Sequence, residues 1–326
     1  MGLSIFTQKF YEMEKQVTMI TNITKRFDPD THYAVAMQPP PAYTDYIKKR
    51  YLDIPYANLS LSQSLDIYLP DDGKRPYPVI LSIHGGAFMG CDKADMHVIP
   101  MLAGLTRGYA VVALNYRLSW EATFPALVQD VKAAVRWVRG NAQWYFLDPD
   151  RIAAWGGSAG GYLSTMLGVS AGIAELEDLS LGNPDQPSNV QVVVDWFGPT
   201  DFLKMDEQLT ANDFAPKTGM EHNGENSPES LLLGNKITDI PQQVKVANPE
   251  TYIREDAAPF LIQHGSADST VPVQQSIGLA ENLRRVCGDD KVVLELLEGF
   301  KHGDRRFDSP ANVKRVLDFI DQYFMR

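Results

Sequence analysis

The sequence has few cysteines, no long apolar run and no basic cluster, and each absence excludes a class of protein. Cys91 and Cys287 are the only cysteines, far apart and without metal-ligand spacing. A disulfide-dependent fold is therefore not expected, although one structural disulfide stays an alternative. No apolar run approaches the roughly 20 residues that span a bilayer. Acidic residues outnumber basic ones by 41 to 30, and the net charge of -11 argues against a nucleic-acid partner.

Targeting signals are also lacking at the start of the chain. Residues 1–9 have neither the apolar core nor the small-residue cleavage site of a secretory signal, and they do not fit a myristoylation signal. A cytoplasmic protein without a membrane partner is the expectation. The 44% hydrophobic and 22% charged residues are typical of an ordinary globular protein. A chain of 326 residues allows one large domain or two small ones.

What the sequence does contain is a G-x-S-x-G motif, Gly156–Gly160, centred on Ser158. The apolar run Arg151–Trp155 precedes it, which predicts a strand, a sharp turn with the serine at its tip, and then a helix. The glycines prevent collisions between strand and helix, and the helix N-terminus favours an oxyanion beside the serine. A flexible loop and a phosphate cradle are the alternatives. No lysine follows as in a Walker loop, and Ser158 stands where a dinucleotide fingerprint needs glycine.

The hydrophobic pattern predicts a repeated alternation of strands and helices from Leu65 onwards. Strands are predicted at 65–69, 78–83, 109–114, 151–155, 190–197, 259–263 and 292–297, and helices at 124–144, 274–286 and 311–324. Such units form a mostly parallel sheet with helices on both faces. Residues 1–57 are weakly patterned apart from an amphipathic helix expected at Phe10–Val17, and residues 203–256 lose the alternation. We expect one α/β domain over 58–326, with a small cap built from segment 1–57 and the 203–256 insertion.

A glycine-rich loop follows the strand that ends at Ile83. Its small residues allow backbone N–H groups to point at a developing negative charge. The predicted oxyanion hole comprises Gly85, Gly86 and Ala87 of this loop together with Ala159, which follows the serine. A tight turn with no catalytic role is the alternative. His84 precedes the glycines and is interpreted as a residue that braces the loop.

Two further polar residues follow later strands. Asp268 comes after the strand at 259–263, and His302 comes after the strand at 292–297. With Ser158 they occur in the order Ser, Asp, His, which predicts a catalytic triad. Asp268 in an Asx turn and His302 on a surface loop are the alternatives, and Glu298 and Asp304 are rival acids. No His-Glu-x-x-His or paired-cysteine motif is present, so neither a metal nor a cofactor is expected.

These motifs resemble α/β-hydrolase esterases of the hormone-sensitive-lipase-like group. A closer match is based on four further segments, Asn115–Leu118, Leu147–Ile152, Trp196–Phe202 and His302–Asp304. The resemblance runs from about residue 59 to residue 326 and is closer to bacterial bifunctional feruloyl and acetyl-xylan esterases. It implies an α/β-hydrolase catalytic domain that cleaves short-chain or carbohydrate-linked acyl esters through an acyl-enzyme. Ala87 departs from the group, much of which has a third glycine there, but alanine still supplies an N–H.

The substrate and its contacts are less specific predictions. Phe88, Trp196 and Phe197 are candidate substrate-binding residues, although such aromatic residues more often belong to the core. The expected partner is a small-molecule or oligosaccharide ester, and a homodimer is one option. The phrase Gly265–Pro272 also resembles prolyl-oligopeptidase catalytic domains. An amidase or aminopeptidase with the same triad, such as an aryl formamidase, is one alternative function. A non-catalytic receptor on this fold is another, although such a receptor would be expected to lack a triad residue.

Overall fold

The structure, a computed structural model, describes residues 39–214, 219 and 221–324. The helix predicted at Phe10–Val17 lies outside the described residues. One eight-stranded sheet organises the fold, with strand order β1-β2-β4-β3-β5-β6-β7-β8. The strands are β1 (Arg50–Pro55), β2 (Ser64–Tyr68), β3 (Tyr77–Ile83), β4 (Ala110–Leu114), β5 (Leu147–Gly157), β6 (Val192–Trp196), β7 (Phe260–Gly265) and β8 (Val292–Leu297).

Strand direction divides the sheet into two parts. From β4 to β8 the pairs are parallel, whereas β2 pairs antiparallel with both β1 and β4. Every strand predicted from the sequence is present, which confirms the mostly parallel sheet. The strand β1 was not predicted. It is an edge strand with most residues exposed, so it lacks a hydrophobic alternation, and it brings the end of segment 1–57 into the sheet.

A helix follows each parallel strand along the chain. The helices are α1 (Ile99–Leu102), α2 (Ala126–Gly140), α3 (Ala142–Tyr145), α4 (Ala159–Val169), α5 (Met205–Ala211), α6 (Pro228–Leu233), α7 (Pro241–Ala247), α8 (Gln274–Cys287) and α9 (Pro310–Phe324). Short 3₁₀ segments fill several of the connections. The single helix predicted at 124–144 is two helices, α2 and α3, separated at Asn141.

Helices cover both faces of the sheet. Along β3, Val79, Leu81 and Ile83 pack into one apolar cluster with α2, α4 and α8. Ile80 packs into a second cluster with α1 and α9. This alternation follows from the two-residue period of a strand. Burial on both faces explains why the central strands are continuous apolar runs.

The described part of the 203–256 insertion contains helices and turns but no strand. Its helix α6 shows how the local sequence defines an element. The Ser227 side chain accepts a hydrogen bond from the Ser230 N–H, Pro228 occupies the first turn, and Gly234 ends the helix with a φ of 74°. Serine caps, an early proline and a terminal glycine are favoured at these positions. Leu232 then joins the core cluster beneath the insertion.

Two further observations concern the expectations from composition. Within residues 39–214 and 221–324, no helix combines the length and apolar character needed to cross a membrane. Cys91 and Cys287 are both free thiols.

Candidate active site

Ser158 lies at the junction of β5 and α4. Its backbone has φ 57° and ψ -122°, a conformation that non-glycine residues rarely adopt. A Cβ added to Gly156 would lie 2.4 Å from the backbone of Gly160, and one added to Gly160 would lie 2.0 Å from the carbonyl oxygen of Ile83. Only glycine therefore fits at both flanking positions, as the sequence predicted. The serine hydroxyl is held at the tip of a sharp turn.

The structure brings the three predicted triad residues together. His302, in the loop after β8, has its Nε2 2.9 Å from Ser158 Oγ. Its Nδ1 lies 2.8 Å from Asp268 Oδ2, in the loop after β7. The carboxyl ends of neighbouring parallel strands place these loops at one edge of the sheet. The geometry allows His302 to accept the serine proton while Asp268 orients its ring.

Asp268 is fully enclosed and surrounded by donors. Its Oδ1 accepts the N–H groups of Thr270, at 2.8 Å, and Val271, at 2.9 Å. Its Oδ2 lies 3.3 Å from His264 Nε2 in addition to its bond with His302. Burial alone would raise the pKa of Asp268, but the charge of His302 and the hydrogen bonds from both histidines hold it well below its usual range. The carboxyl is ionised at neutral pH.

The alternatives for the acid have other contacts. Asp304 pairs with Arg306 at 2.7 Å and also caps the short segment that follows it. Glu298 is exposed. The Asx-turn interpretation of Asp268 is compatible with the triad, because one carboxylate oxygen serves the turn and the other binds His302. The sequence did not single out His264, although its place four residues before Asp268, at the end of β7, was an available signal.

The glycine-rich loop after β3 reaches the serine. A Cβ added to Gly85 would lie 3.5 Å from Ser158 Cβ. Three successive positive φ angles follow, 97° at Gly86, 53° at Ala87 and 65° at Phe88. In the described part of the chain, the N–H groups of Gly86 and Ala87 donate to no protein acceptor. The N–H of Ala159 is likewise free, as expected for the first residue of a helix. These donors are available to an anion.

Tyr116 braces this loop and was not assigned a role from the sequence. Its hydroxyl lies 3.0 Å from the carbonyl oxygen of His84 and 3.1 Å from that of Gly85. Its ring stacks on the His84 imidazole with centroids 4.5 Å apart. Burial lowers the pKa of His84, so its ring is neutral at neutral pH. His84 thus has the bracing position that the sequence predicted.

Two of the three predicted substrate-binding residues, Phe88 and Trp196, are almost fully buried. Phe88 is 1% exposed and packs on Tyr162 and Phe202. Trp196 is 3% exposed and packs on Trp155. Both belong to the core, which argues against direct contact with a substrate.

The third candidate, Phe197, packs at the site itself. Its ring centroid lies 4.9 Å from that of His302 in an edge-to-face arrangement. Its contact with a substrate stays a prediction.

One group of side chains in the described residues has ligand types suited to a metal ion. Cys91, Asp95 and His97 have ligand atoms within 4.8 Å of one another. Asp95 already accepts the N–H groups of Asp92 and His97 and contacts the His97 ring at 2.8 Å. These bonds account for Asp95 and His97 as parts of a turn and helix cap, and the proposed chemistry of Ser158 does not use them.

The chain is similar to proteins that are described as ester hydrolases. The protein family described as BD-FAE matches residues 65–283. The probable carboxylic ester hydrolase LipM of Mycobacterium tuberculosis is 33% identical over 258 residues, 78% of this chain and 56% of that protein. The chain spans about half the length of the curated relatives it matches.

Solved structures are also similar. A truncated carbohydrate esterase from gut microbiota is 33% identical, with a TM-score of 0.78 over 88% of this chain and 100% of that one. A bifunctional GH43-CE protein of Bacteroides eggerthii is 34% identical, with a TM-score of 0.74 over 84% of this chain and 35% of that one. Together with the strand order, these neighbours confirm the α/β-hydrolase fold.

Proposed function

Because the chain belongs to the BD-FAE family, we propose that this protein is a serine carboxylic ester hydrolase. The observation that carries the proposal is the hydrogen-bonded chain from Ser158 Oγ to His302 to Asp268, with distances of 2.9 Å and 2.8 Å. A serine activated by an oriented histidine is the requirement of acyl transfer. The esterase names of its relatives support the same reaction.

The proposed reaction has two halves. His302 Nε2 removes the proton of Ser158 as the oxygen attacks the ester carbonyl, and Asp268 stabilises the imidazolium that forms. The histidine then protonates the leaving alcohol, which leaves an acyl-enzyme. Water, deprotonated by His302, attacks the acyl carbon and releases the acid. The bonds that form and break in this cycle involve only the ester, these side chains and water.

The developing oxyanion is assigned to backbone donors. The N–H groups of Gly86, Ala87 and Ala159 have no protein acceptor, and the glycine-rich loop comes close to Ser158 at Gly85. The N-terminus of α4 adds its dipole to these donors. Each such contact is worth about 10²–10³ in kcat in a comparable site.

For the substrate, we propose short-chain or carbohydrate-linked acyl esters of the acetyl or feruloyl type. The carbohydrate esterases among the structural neighbours support the alcohol side of this proposal. The small apolar content of the insertion supports the acyl side, since Leu231–Leu233 is its one compact apolar run in the sequence. A long acyl chain needs a large apolar surface, because each buried CH₂ contributes only about 0.8 kcal/mol.

We also propose that the 203–256 insertion forms a cap over the sheet of the catalytic domain, which starts before the expected residue 58 because β1 (Arg50–Pro55) belongs to that sheet. The support comes from the insertion, where His222 Nε2 contacts the carbonyl oxygen of Thr270 at 2.8 Å, beside the catalytic acid. A cap in this place would shape the entrance to Ser158.

A matched substrate panel tests the function. Initial rates are measured on acetyl, butyryl, octanoyl, palmitoyl and feruloyl esters, and on a nitrophenyl ester beside the corresponding anilide. Higher kcat/KM for acetyl, butyryl or feruloyl esters than for palmitoyl esters is expected, with the anilide much slower. Faster anilide cleavage would establish an amidase instead. Absence of both ester cleavage and fluorophosphonate labelling at Ser158 would indicate a non-catalytic protein.

A further inference from the structure

A buried histidine of the insertion contacts the loop that carries the catalytic acid. His222 Nε2 lies 2.8 Å from the carbonyl oxygen of Thr270, two residues after Asp268. Its Nδ1 lies 3.1 Å from a carboxylate oxygen of Glu229 on α6. The side chains of His222 and Glu229 are only 8% and 4% exposed. His222 therefore connects α6 with the acid loop, residues 266–271.

The surroundings of His222 favour its charged form. A carbonyl and a carboxylate can only accept, so both ring nitrogens act as donors. Burial disfavours the charge, but the Glu229 carboxylate and the bonds to Glu229 and Thr270 outweigh it and raise the pKa of His222 to about 9. The other charged group that faces this residue is Asp206 on α5, which accepts the backbone N–H of His222 at 2.8 Å.

A second histidine holds the acid loop from the side of the sheet. His264 Nε2 lies 2.9 Å from the carbonyl oxygen of Val271, and its Nδ1 contacts the Ser276 hydroxyl at 2.6 Å. Two consecutive carbonyls are thus anchored by two histidines, one from the insertion and one from β7. The N–H groups of the same two residues, Thr270 and Val271, donate to Asp268 Oδ1. The backbone that holds the catalytic acid is fixed on both sides.

We propose that His222 is a positioning residue for ester hydrolysis, which keeps Asp268 aligned with His302 by anchoring the Thr270 carbonyl. The inference rests on the proposed function, and His222 itself touches no reacting atom. Without the anchor, the peptide between Thr270 and Val271 can rotate, the Val271 N–H leaves Asp268 Oδ1, and Oδ2 moves relative to His302 Nδ1. The insertion then contributes to the rate of catalysis in addition to any role in shaping the entrance.

Four variants of the whole chain test this role. His222→Phe keeps a ring but removes the donor, and His222→Gln places an amide nitrogen near the position of Nε2. His222→Asn places its amide near Nδ1, too short to reach Thr270. Glu225→Gln changes an exposed carboxyl of the same segment and is the matched control. The readouts are kcat per fluorophosphonate-titrated site, KM, and the downfield proton resonance of His302 Nδ1–H.

The Phe and Asn variants should lose about 10- to 100-fold in kcat per titrated site, the scale for displacing a catalytic group by about 1 Å. KM should be unchanged, and the Nδ1 proton resonance should shift or broaden. His222→Gln should recover most of the rate, and Glu225→Gln should match the wild type. If His222→Phe does not fold, the difference in kcat per titrated site between His222→Gln and His222→Asn tests the positioning role.

Two results would overturn the inference. One is an unchanged kcat per titrated site with an unaltered resonance in a folded Phe or Asn variant. The other is a decrease only in the number of titratable sites, which would indicate a purely structural residue. A wild-type protein without esterase activity would contradict the proposed function instead, so the two failures are distinguishable.

Discussion

The carbonyl oxygen of Ile83 occupies the space that a side chain on Gly160 would need. A Cβ on Gly160 would lie 2.0 Å from that oxygen and 2.8 Å from the carbonyl oxygen of His84. The helix α4, which follows Ser158, therefore packs directly on the end of β3, where the glycine-rich loop begins. This contact fixes the position of Ser158 relative to its candidate oxyanion donors.

Gly160→Ala should consequently impair both folding and catalysis. Overpacking of this kind costs about 1–3 kcal/mol, and the neighbours here are backbone atoms that cannot rotate away. Gly278→Ala in α8 is the control, because its nearest heavy atom would be 3.7 Å away. It should be neutral or stabilising by about 0.5–1 kcal/mol. Urea denaturation and the kcat of both variants check this. An active, fully stable Gly160→Ala protein would contradict the packing argument.

Ser158→Ala should abolish ester hydrolysis, since loss of the nucleophile of such a triad costs on the order of 10⁶ in kcat. His302→Ala should match it. Asp268→Asn should lose about 10⁴, because the amide offers a donor to Nδ1 and favours the wrong tautomer of His302. Rates on a nitrophenyl acetate ester, with circular dichroism to verify folding, provide the measurement. A Ser158→Ala protein with a tenth of the wild-type rate would rule out this serine as the nucleophile.

The backbone conformation of Ala87 predicts different effects of a glycine and a valine at this position. With φ at 53°, Ala87 lies in the left-handed region, which glycine adopts without strain and β-branched residues avoid. Ala87→Gly retains the N–H and should stay within about tenfold of the wild-type kcat. Ala87→Val should displace that N–H and lose about 10²–10³, the scale of one oxyanion contact. Both are compared on one short-chain ester. Equal rates for Gly and Val would exclude the Ala87 N–H from the oxyanion hole.

A buried acid that packs against α4 predicts a pH-dependent stability. Asp195 on β6 is fully buried and accepts the Gly198 N–H at 2.9 Å with one oxygen. Burial raises the pKa of Asp195 from 3.8 to about 6. The folded state thus binds this proton more tightly than the unfolded chain. The stabilisation that protonation of Asp195 gives the folded state is complete below about pH 4 and is lost as the pH rises through about 6.

Asp195→Asn resembles the protonated acid and should remove this dependence. The variant should be more stable than the wild type at pH 8, by about 2–3 kcal/mol, and nearly equal to it at pH 4. Denaturation at both pH values gives the difference, and Asp72→Asn, at an exposed turn, is the control. A constant difference between Asp195→Asn and wild type at both pH values would show that the carboxyl does not titrate in this range.

Much of the fold, and the proximity of Ser158, Asp268 and His302, was predictable because the signals are local. Central strands such as β3 are continuous apolar runs, and Gly156–Gly160 encodes a turn within five residues. The order of Ser158, Asp268 and His302 follows from the order of strands, since parallel strands end at one edge of a sheet. Chain order therefore predicted which residues meet without any knowledge of side-chain packing.

Contacts between segments that are far apart in the sequence were not predictable, because they depend on tertiary packing. Edge strand β1 has no buried face to leave a pattern, and the cores that bury Phe88 and Trp196 are assembled from several elements. His222 and Thr270 are 48 positions apart in the sequence, and Tyr116 and His84 are 32 positions apart. No periodicity or motif spans such separations, because burial and hydrogen-bond partners are defined only once the sheet and the insertion pack together. The tertiary structure therefore decided how the triad is supported.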